Sequence, residues 1–441
     1  MMPIIPYSSG TNFHGGTISD HGGILLSLER MNRIEYIDER NWNAMIEPGV
    51  TYWQLQGELE KHNLRVAAPL TSPPSASILA DYMERNPVIT AADLMYGNEL
   101  LNTYDIVMPT GECFTVGHPP ATKARSTAPD GPALDFYRLF QGAQGTLGIV
   151  VRMSIRLLPL PTAQQVFFIP ADTVERAVEI IQRIERKELG LECFALNSFD
   201  LAALLTEDPS QEKRMRQGKY VGTRGVKPWA AAQLTQFEGL RENLPPWTVV
   251  ICLTGWARRA EEKLEYQELD LRDVAVEVGF EVKNTVGGVS GLDRIIKEEV
   301  ILPWRMQKRF GYKGSCHGLM FHTRPDKMSD LEAVIYGVAG EYQYPTSDIG
   351  GYLLPIERGR TIYCEYDLHC NLDDPAESQW VKELFEEVSQ VLVDNGAFFD
   401  RPYGPWAKIM YSQAGTYAEY LKKLKRQLDP NNIMNPGKLC F

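Results

Sequence analysis

The sequence has no apolar run long enough to cross a bilayer, which excludes a membrane-spanning helix. It is short of positive charge: 45 Lys and Arg stand against 57 Asp and Glu, a net charge of -12. That balance argues against nucleic acid or an anionic membrane surface as partner. No basic region followed by an apolar core opens the chain, so no signal peptide is expected. The seven cysteines (Cys113, Cys193, Cys252, Cys316, Cys364, Cys370, Cys440) are scattered and odd in number, without C-x-x-C spacing. A disulfide framework and a structural zinc site are therefore not expected, and a reduced, cytoplasmic setting is. Internal repeats and low-complexity segments are lacking as well. What remains is a chain of 441 residues, 44% hydrophobic, long enough for two or three domains.

Four stretches stand out. The chain opens on Pro3-Ile4-Ile5-Pro6-Tyr7 and then Ser8-Ser9-Gly10-Thr11-Asn12-Phe13-His14-Gly15-Gly16. A small-residue loop of this kind leaves backbone N–H groups uncovered, and such groups can converge on an anion such as a pyrophosphate. Many Ser/Gly loops merely turn the chain, so the motif alone decides nothing. The others are Glu47-Pro48-Gly49-Val50-Thr51, the loop Gln141-Gly142-Ala143-Gln144-Gly145-Thr146-Leu147-Gly148-Ile149, and the tail Asp429-Pro430-Asn431-Asn432-Ile433-Met434-Asn435-Pro436-Gly437-Lys438.

Between them the patterning predicts elements. Gly23–Leu28 reads as a short buried strand, Tyr52–His62 as a helix with Trp53, Leu55 and Leu59 on its apolar side, and Ile78–Arg85 as a helix. Leu100–Met108 and Cys113–Val116 read as a hairpin, and Ile149–Leu158 as a strand ending at Pro159-Leu160-Pro161, a candidate domain boundary. Beyond it come strand–helix–strand pieces: Val166–Ile169, then Thr173–Lys187 with Asp172 as N-cap, then Leu191–Leu196; Val249–Leu253, Arg258–Val278, Phe280–Lys283; Gly318–Thr323, Ser329–Tyr342, Arg360–Cys370. They suggest a sheet with helices on one face. Residues 206–247 read as a polar excursion. Thr416–Leu428 reads as a helix whose basic residues Lys422, Lys423, Lys425 and Arg426 form a solvated face.

Taken together, in order and spacing, the four stretches resemble the vanillyl-alcohol oxidase and p-cresol methylhydroxylase family of FAD enzymes. The resemblance implies an α+β fold: an FAD-binding domain, here its second half, over 1–161; a cap with an antiparallel sheet covered by helices over 162–405, holding most of the substrate pocket; and a segment 406–441 returning to the FAD domain. It implies FAD as cofactor, with no metal. The residues carried over for FAD are Ser8, Ser9, Gly10, Thr11, Asn12, Gly15 and Gly16 in the opening loop, Pro48 and Gly49 in the turn, Gly142, Gly145, Thr146, Gly148 and Ile149 in the second loop, and Asn435 and Lys438 in the tail. His317, in Cys316-His317-Gly318, falls one residue from where some members attach FAD covalently; a bystander histidine is the competing reading.

The chain departs from the family twice. Members carry a further α/β half before the opening motif, where this chain begins, so a truncated product or a second polypeptide supplying that half is expected. The family's middle Gly-Gly loop is replaced by Ser72-Pro73-Pro74-Ser75-Ala76-Ser77, and prolines cannot donate N–H groups.

For the substrate, Asn395-Gly396 through Trp406 lacks the Glu-His-Gly motif of D-2-hydroxy-acid dehydrogenases and carries Arg401 where phenol oxidisers place a phenolate-binding arginine. A fixed guanidinium would stabilise a phenolate, which eases hydride loss from the benzylic carbon to flavin N5. Arg401, with Tyr403 among the aromatic residues able to wall the ring, is the catalytic candidate; the competing reading of Arg401 is an ion pair with Asp400. Three functions stay open: oxidation of a small para-substituted phenol, a D-2-hydroxy-acid or glycolate dehydrogenase-like subunit, and a partner-dependent subunit unable to hold FAD alone. An electron-acceptor protein and a homo-oligomer are further expected partners.

Overall fold

The computed structural model describes residues 2–12, 14–19, 21–92, 100–122, 131, 136–216 and 226–441. Two sheets organise it, each with its own hydrophobic core.

The smaller sheet has five antiparallel strands in the spatial order Ile34–Asp38, Asn43–Ile46, Ile149–Arg156, Leu101–Val107 and Cys113–Val116. The hairpin Leu101–Val107/Cys113–Val116 closes at Pro109-Thr110-Gly111-Glu112, where Gly111 takes φ +89°. The helix Tyr52–Leu59 packs against this sheet, and the Thr51 hydroxyl caps it by accepting from Gln54 N. Tyr52, Leu55 and Leu59 are buried, whereas Trp53 faces solvent. A one-residue error in the expected apolar side explains that difference, since successive helix positions point about 100° apart. The helix Ile78–Met83 is capped by Ser77, whose hydroxyl accepts from Ala80 N and donates to Pro48 O.

The larger sheet has six strands in the order Ala163–Ala171, Trp247–Gly255, Glu192–Asn197, Ile349–Ile356, Thr361–Cys370 and Ser315–Thr323, every neighbouring pair antiparallel. Helices Val174–Glu185, Ala260–Val278, Met328–Glu341 and Pro375–Asp394 pack on it. Val174–Glu185 buries Ala177, Val178, Ile180, Ile181 and Ile184, and each large aliphatic chain so buried contributes about 1.5–3 kcal/mol. Its N-cap is Thr173 rather than Asp172. Phe280–Lys283 makes only a single bridge, Lys283 to Phe168, and is not a strand. The segment 206–247 is more than an excursion, because helices Pro209–Arg216 and Ala231–Asn243 lie in it; its residues 217–225 fall outside the described ones.

A third element carries the opening loop. Ile4–Tyr7 pairs in parallel with Ile24–Ser27. The expected burial of the second strand is not found: Ile24, Leu25 and Leu26 are 49%, 55% and 37% exposed. The apolar run does form a strand, but no layer covers it among the described residues. On its other side Ile4 meets the tail, donating to Ile433 O at 2.7 Å and accepting from Asn435 N at 3.0 Å. The chain's two ends thus lie together beside the smaller sheet.

Candidate functional site

An open cleft of about 1410 Å3, solvent at its mouth included, runs between the opening loop, the 141–149 loop and the inner end of the larger sheet.

One end is built from backbone. Ser8, Ser9, Gly10, Thr11, Asn12 and Gly16 line it from the opening loop, as does Pro48 from the turn before Tyr52. Gln144, Gly145, Gly148 and Ile149 face them. Gly10 and Gly145 take φ of +66° and +69°, the left-handed region open to glycine. A Cβ on Gly145 would meet Pro6 Cγ at 2.4 Å, so the glycine lets the two loops touch. Asn435 ties both loops to the tail: its Nδ2 donates to Gln144 O at 2.7 Å and to Gly16 O at 3.2 Å. Lys425, expected on a solvated face, is buried instead. Its ammonium donates to Thr146 O at 2.7 Å and Met434 O at 2.9 Å and pairs with Asp429 at 2.7 Å, while Lys422, Lys423 and Arg426 stay exposed.

Some expected cofactor residues act one step back. Gly49 does not line the cleft; its N–H donates to Met31 O at 2.6 Å, and a Cβ would meet Glu29 O at 2.5 Å. Gly142 donates to Met83 O, Thr146 holds its own loop through Ala143 O, and Gly15 and Lys438 lie outside the lining. His317 is not brought to the cleft: it packs on Phe385 at a ring distance of 5.2 Å.

The other end is made of side chains. Arg401 is buried in its wall. Its Nη1 donates to Asn86 Oδ1 at 2.7 Å and its Nη2 to the Tyr363 hydroxyl at 2.9 Å; Nε lies 3.7 Å from Asp400. Arg401 thus pairs with Asp400, as the competing reading expects, and also lines the cleft. Burial works against its charge, but Tyr363, Asp400 and Tyr403 more than offset that and keep its pKa above the ordinary arginine value. Asp400 is also pushed up by burial, yet His322 and Arg401 hold it well below the usual carboxylate range. Tyr403 donates its hydroxyl to Glu84, and its ring stacks on His14 at 5.5 Å. Burial pushes the Glu84 carboxyl up, opposed by that hydrogen bond and by Arg401. Asp81 is raised to about 6 by burial, against hydrogen bonds from Ser72, Asn86 and Tyr52. Met320 and Glu365 complete this wall from the larger sheet.

In the 72–77 loop the Ser72 N–H donates to Pro69 O, that of Ala76 to Pro73 O and that of Ser77 to Ser9 Oγ. Sequence reasoning did not find Asp81, Glu84, Asn86, Tyr363 and Glu365. One signal was present: Tyr363, Glu365, Asp367 and His369 alternate with apolar residues along Thr361–Cys370, a polar row on a buried strand.

Among known proteins, a family model described as an FAD binding domain matches residues 1–117, and one described as the C-terminal domain of FAD linked oxidases matches residues 405–439. The chain is 27% identical to "Glycolate oxidase subunit GlcD" of Bacillus subtilis, over 99% of this chain and 84% of that relative. It is 22% identical to "4-cresol dehydrogenase [hydroxylating] flavoprotein subunit" of Pseudomonas putida, over 99% and 83%. Its fold is that of the crystal structure of p-cresol methylhydroxylase with substrate bound, at a TM-score of 0.80 and 16% identity, over 100% of this chain and 84% of that one. The residues present fit FAD. Among the described residues the backbone end of the cleft offers no acidic side chain against a pyrophosphate, and Gln144 Oε1, buried in its lining, is an acceptor without a partner, suited to an N–H donor of the cofactor's rings.

Proposed function

We infer that this chain, an FAD-linked oxidase or dehydrogenase with FAD as its cofactor, acts on a small para-substituted phenol and removes hydride from its benzylic carbon. The observation that carries this reading is Arg401: a buried guanidinium in the cleft wall, flanked by the Tyr363 and Tyr403 hydroxyls and by Met320. Arg401 would bind the phenol oxygen as phenolate, and a fixed cation in a dry site favours that form. Asp400, Asn86 and Tyr363 fix the orientation of the guanidinium. Glu84, held by Tyr403 and raised toward neutrality, suits the part of proton acceptor for a water added at the benzylic carbon. Bound FAD would supply the hydride acceptor. The residues proposed to hold it are Ser8–Asn12, Gly16, Pro48, Gln144, Gly145, Gly148 and Ile149, with Asn435 bracing them.

We read 1–161 as the cofactor unit, 162–405 as the cap and 406–441 as the returning segment. Both relatives are named as subunits, which supports a partner chain, either an electron acceptor or one that covers the exposed strand Ile24–Ser27. Seven free cysteines support a reducing, cytoplasmic setting. The rival reading, a 2-hydroxy acid, is favoured by the higher identity to the glycolate oxidase subunit. Arg401 would then hold a carboxylate and Glu84 would take the hydroxyl proton. Steady-state turnover of p-cresol, glycolate and D-lactate with an artificial electron acceptor separates the two: turnover of the hydroxy acids alone moves the substrate to the rival.

A further inference from the structure

Behind Arg401 the polar row of Thr361–Cys370 leads away from the cleft into the core of the larger sheet. The Tyr363 hydroxyl accepts from Arg401 and donates to Glu365 Oε2 at 3.1 Å. Glu365 Oε1 accepts from Arg309 Nη2 at 2.5 Å, and Arg309 Nε lies 3.1 Å from Asp367 Oδ2. Asp200, on the helix Ser198–Leu205, joins them from the far side, packed so closely on Ile349–Ile356 that a Cβ on Gly350 would meet its Oδ1 at 2.7 Å. Arg309, Asp200, Glu365 and Asp367 are each 1% exposed or less.

The other titratable groups here carry no compensating charge. Burial holds His369 well below its ordinary value, hence neutral, and holds Tyr352 and Cys316 well above theirs, hence neutral too. One guanidinium, Arg309, therefore faces three buried carboxyl groups. Like charges this close in a low dielectric cannot all ionise. We propose that Asp200 and Asp367 share one proton, and that this store is linked to Arg401 through Arg309, Glu365 and Tyr363, so that an anion binding at Arg401 draws a proton into the store. Asp200 is thus a positioning residue for the charge balance of the cleft, a role that rests on Arg401 being the anion-binding group. Burial pushes both aspartates up, and Asp367 pushes Asp200 further, so the pair keeps a proton well above the usual carboxylate range. Asp81 and Glu84, which also face the cleft, titrate in both wild type and variant, so a difference between the two isolates Asp200.

The test titrates FAD-loaded protein with benzoate, an aromatic anion at every pH used, by calorimetry in buffers of differing ionisation enthalpy. Wild type should take up protons on binding near pH 8. Its affinity should fall about fivefold or more as pH rises past that point, the lower end of typical site–site coupling. Asp200→Asn should lack that fall and should take up fewer protons than wild type, keeping only what Asp81 and Glu84 contribute. Equal uptake in both proteins, or none in wild type, overturns the proposal. Arg401→Met separates the premise from the inference: benzoate binding that survives it sinks both, whereas binding lost there with an unchanged pH course in Asp200→Asn sinks the coupling alone. Melting temperature gives a second readout. A carboxyl raised on folding stabilises below its unfolded value of 3.8 and loses that contribution as pH rises through about 8. Asp200→Asn should therefore gain on wild type as pH rises, and parallel curves contradict a shared proton.

Discussion

Arg401 is held by Asn86, Tyr363 and Asp400 before any substrate arrives. A cation fixed in this way loses little freedom on binding an anion, which is what a phenolate or carboxylate site needs. Replacing it removes a charge-assisted contact worth about 1.5–3 kcal/mol, so Arg401→Met should lower kcat/KM by roughly tenfold or more, and Arg401→Lys by less. Lysine keeps the charge but cannot reproduce the two-sided fork. Flavin absorbance per protein should stay constant in both variants; a Met variant as active as wild type contradicts the role. Asp81 gives a pH prediction at the same scale. Its carboxyl rises from 3.8 to about 6 through burial, so its stabilising contribution is full below about 3.8 and lost as pH climbs through about 6. Asp81→Asn should therefore gain stability over wild type above about pH 6, by roughly 3 kcal/mol at most. Denaturant melts at pH 4 and 8 measure the change in sign, and an equal offset at both contradicts it.

At the scale of elements, the helix Thr416–Leu428 does more than close the chain. Lys425 binds the carbonyl oxygen of Thr146 and that of Met434 and pairs with Asp429, so it clamps the 141–149 loop to the tail. Lys425→Met would leave two carbonyls unmatched and the buried Asp429 carboxylate with only the Ile433 and Met434 N–H groups, at a cost of about 3 kcal/mol. We expect a lower melting temperature and weaker flavin retention, both read from one thermal melt followed by flavin fluorescence. Gly145→Leu should lose flavin too, because its Cβ would strike Pro6 and part the two loops; full flavin content in that variant contradicts the loop's part in the site. How far such features are legible in sequence differs by element. Lys425 looked like any other basic residue of an amphipathic helix, since burial by a distant loop leaves no local mark. The strand Ile24–Ser27 showed its apolar run but not its exposure, because exposure depends on what packs over it. The strands of the larger sheet were readable from apolar runs, whereas Ile349–Ile356, broken by Gly350-Gly351 and Pro355, was not. Arg401 was singled out through the family resemblance, which places an arginine at that distance after Asn395-Gly396. Glu84 and Tyr363 were not, as their partners lie hundreds of residues away or on another element.

For the whole molecule, the arrangement puts a backbone-lined cradle at one end of the cleft and a charged wall, partly from the larger sheet, at the other. The buried Arg65–Glu192 pair and the Arg85 donation to Asp400 O at 2.8 Å link the two sides. His317 packs on Phe385 and is not among the cleft's lining residues, so acid precipitation should release flavin to the supernatant; flavin retained on the denatured polypeptide contradicts that expectation. The central claim is that an FAD-bearing cleft takes electrons from a substrate anchored on Arg401. The most direct measurement is anaerobic mixing of the flavin-loaded protein with a 4-alkylphenol, following loss of the oxidised flavin absorbance, in wild type and Arg401→Met. The account predicts bleaching in wild type and bleaching slowed at least about tenfold in the variant. Bleaching at the same rate in both, or no bleaching of a fully flavin-loaded wild type by phenol, glycolate or D-lactate, would contradict it.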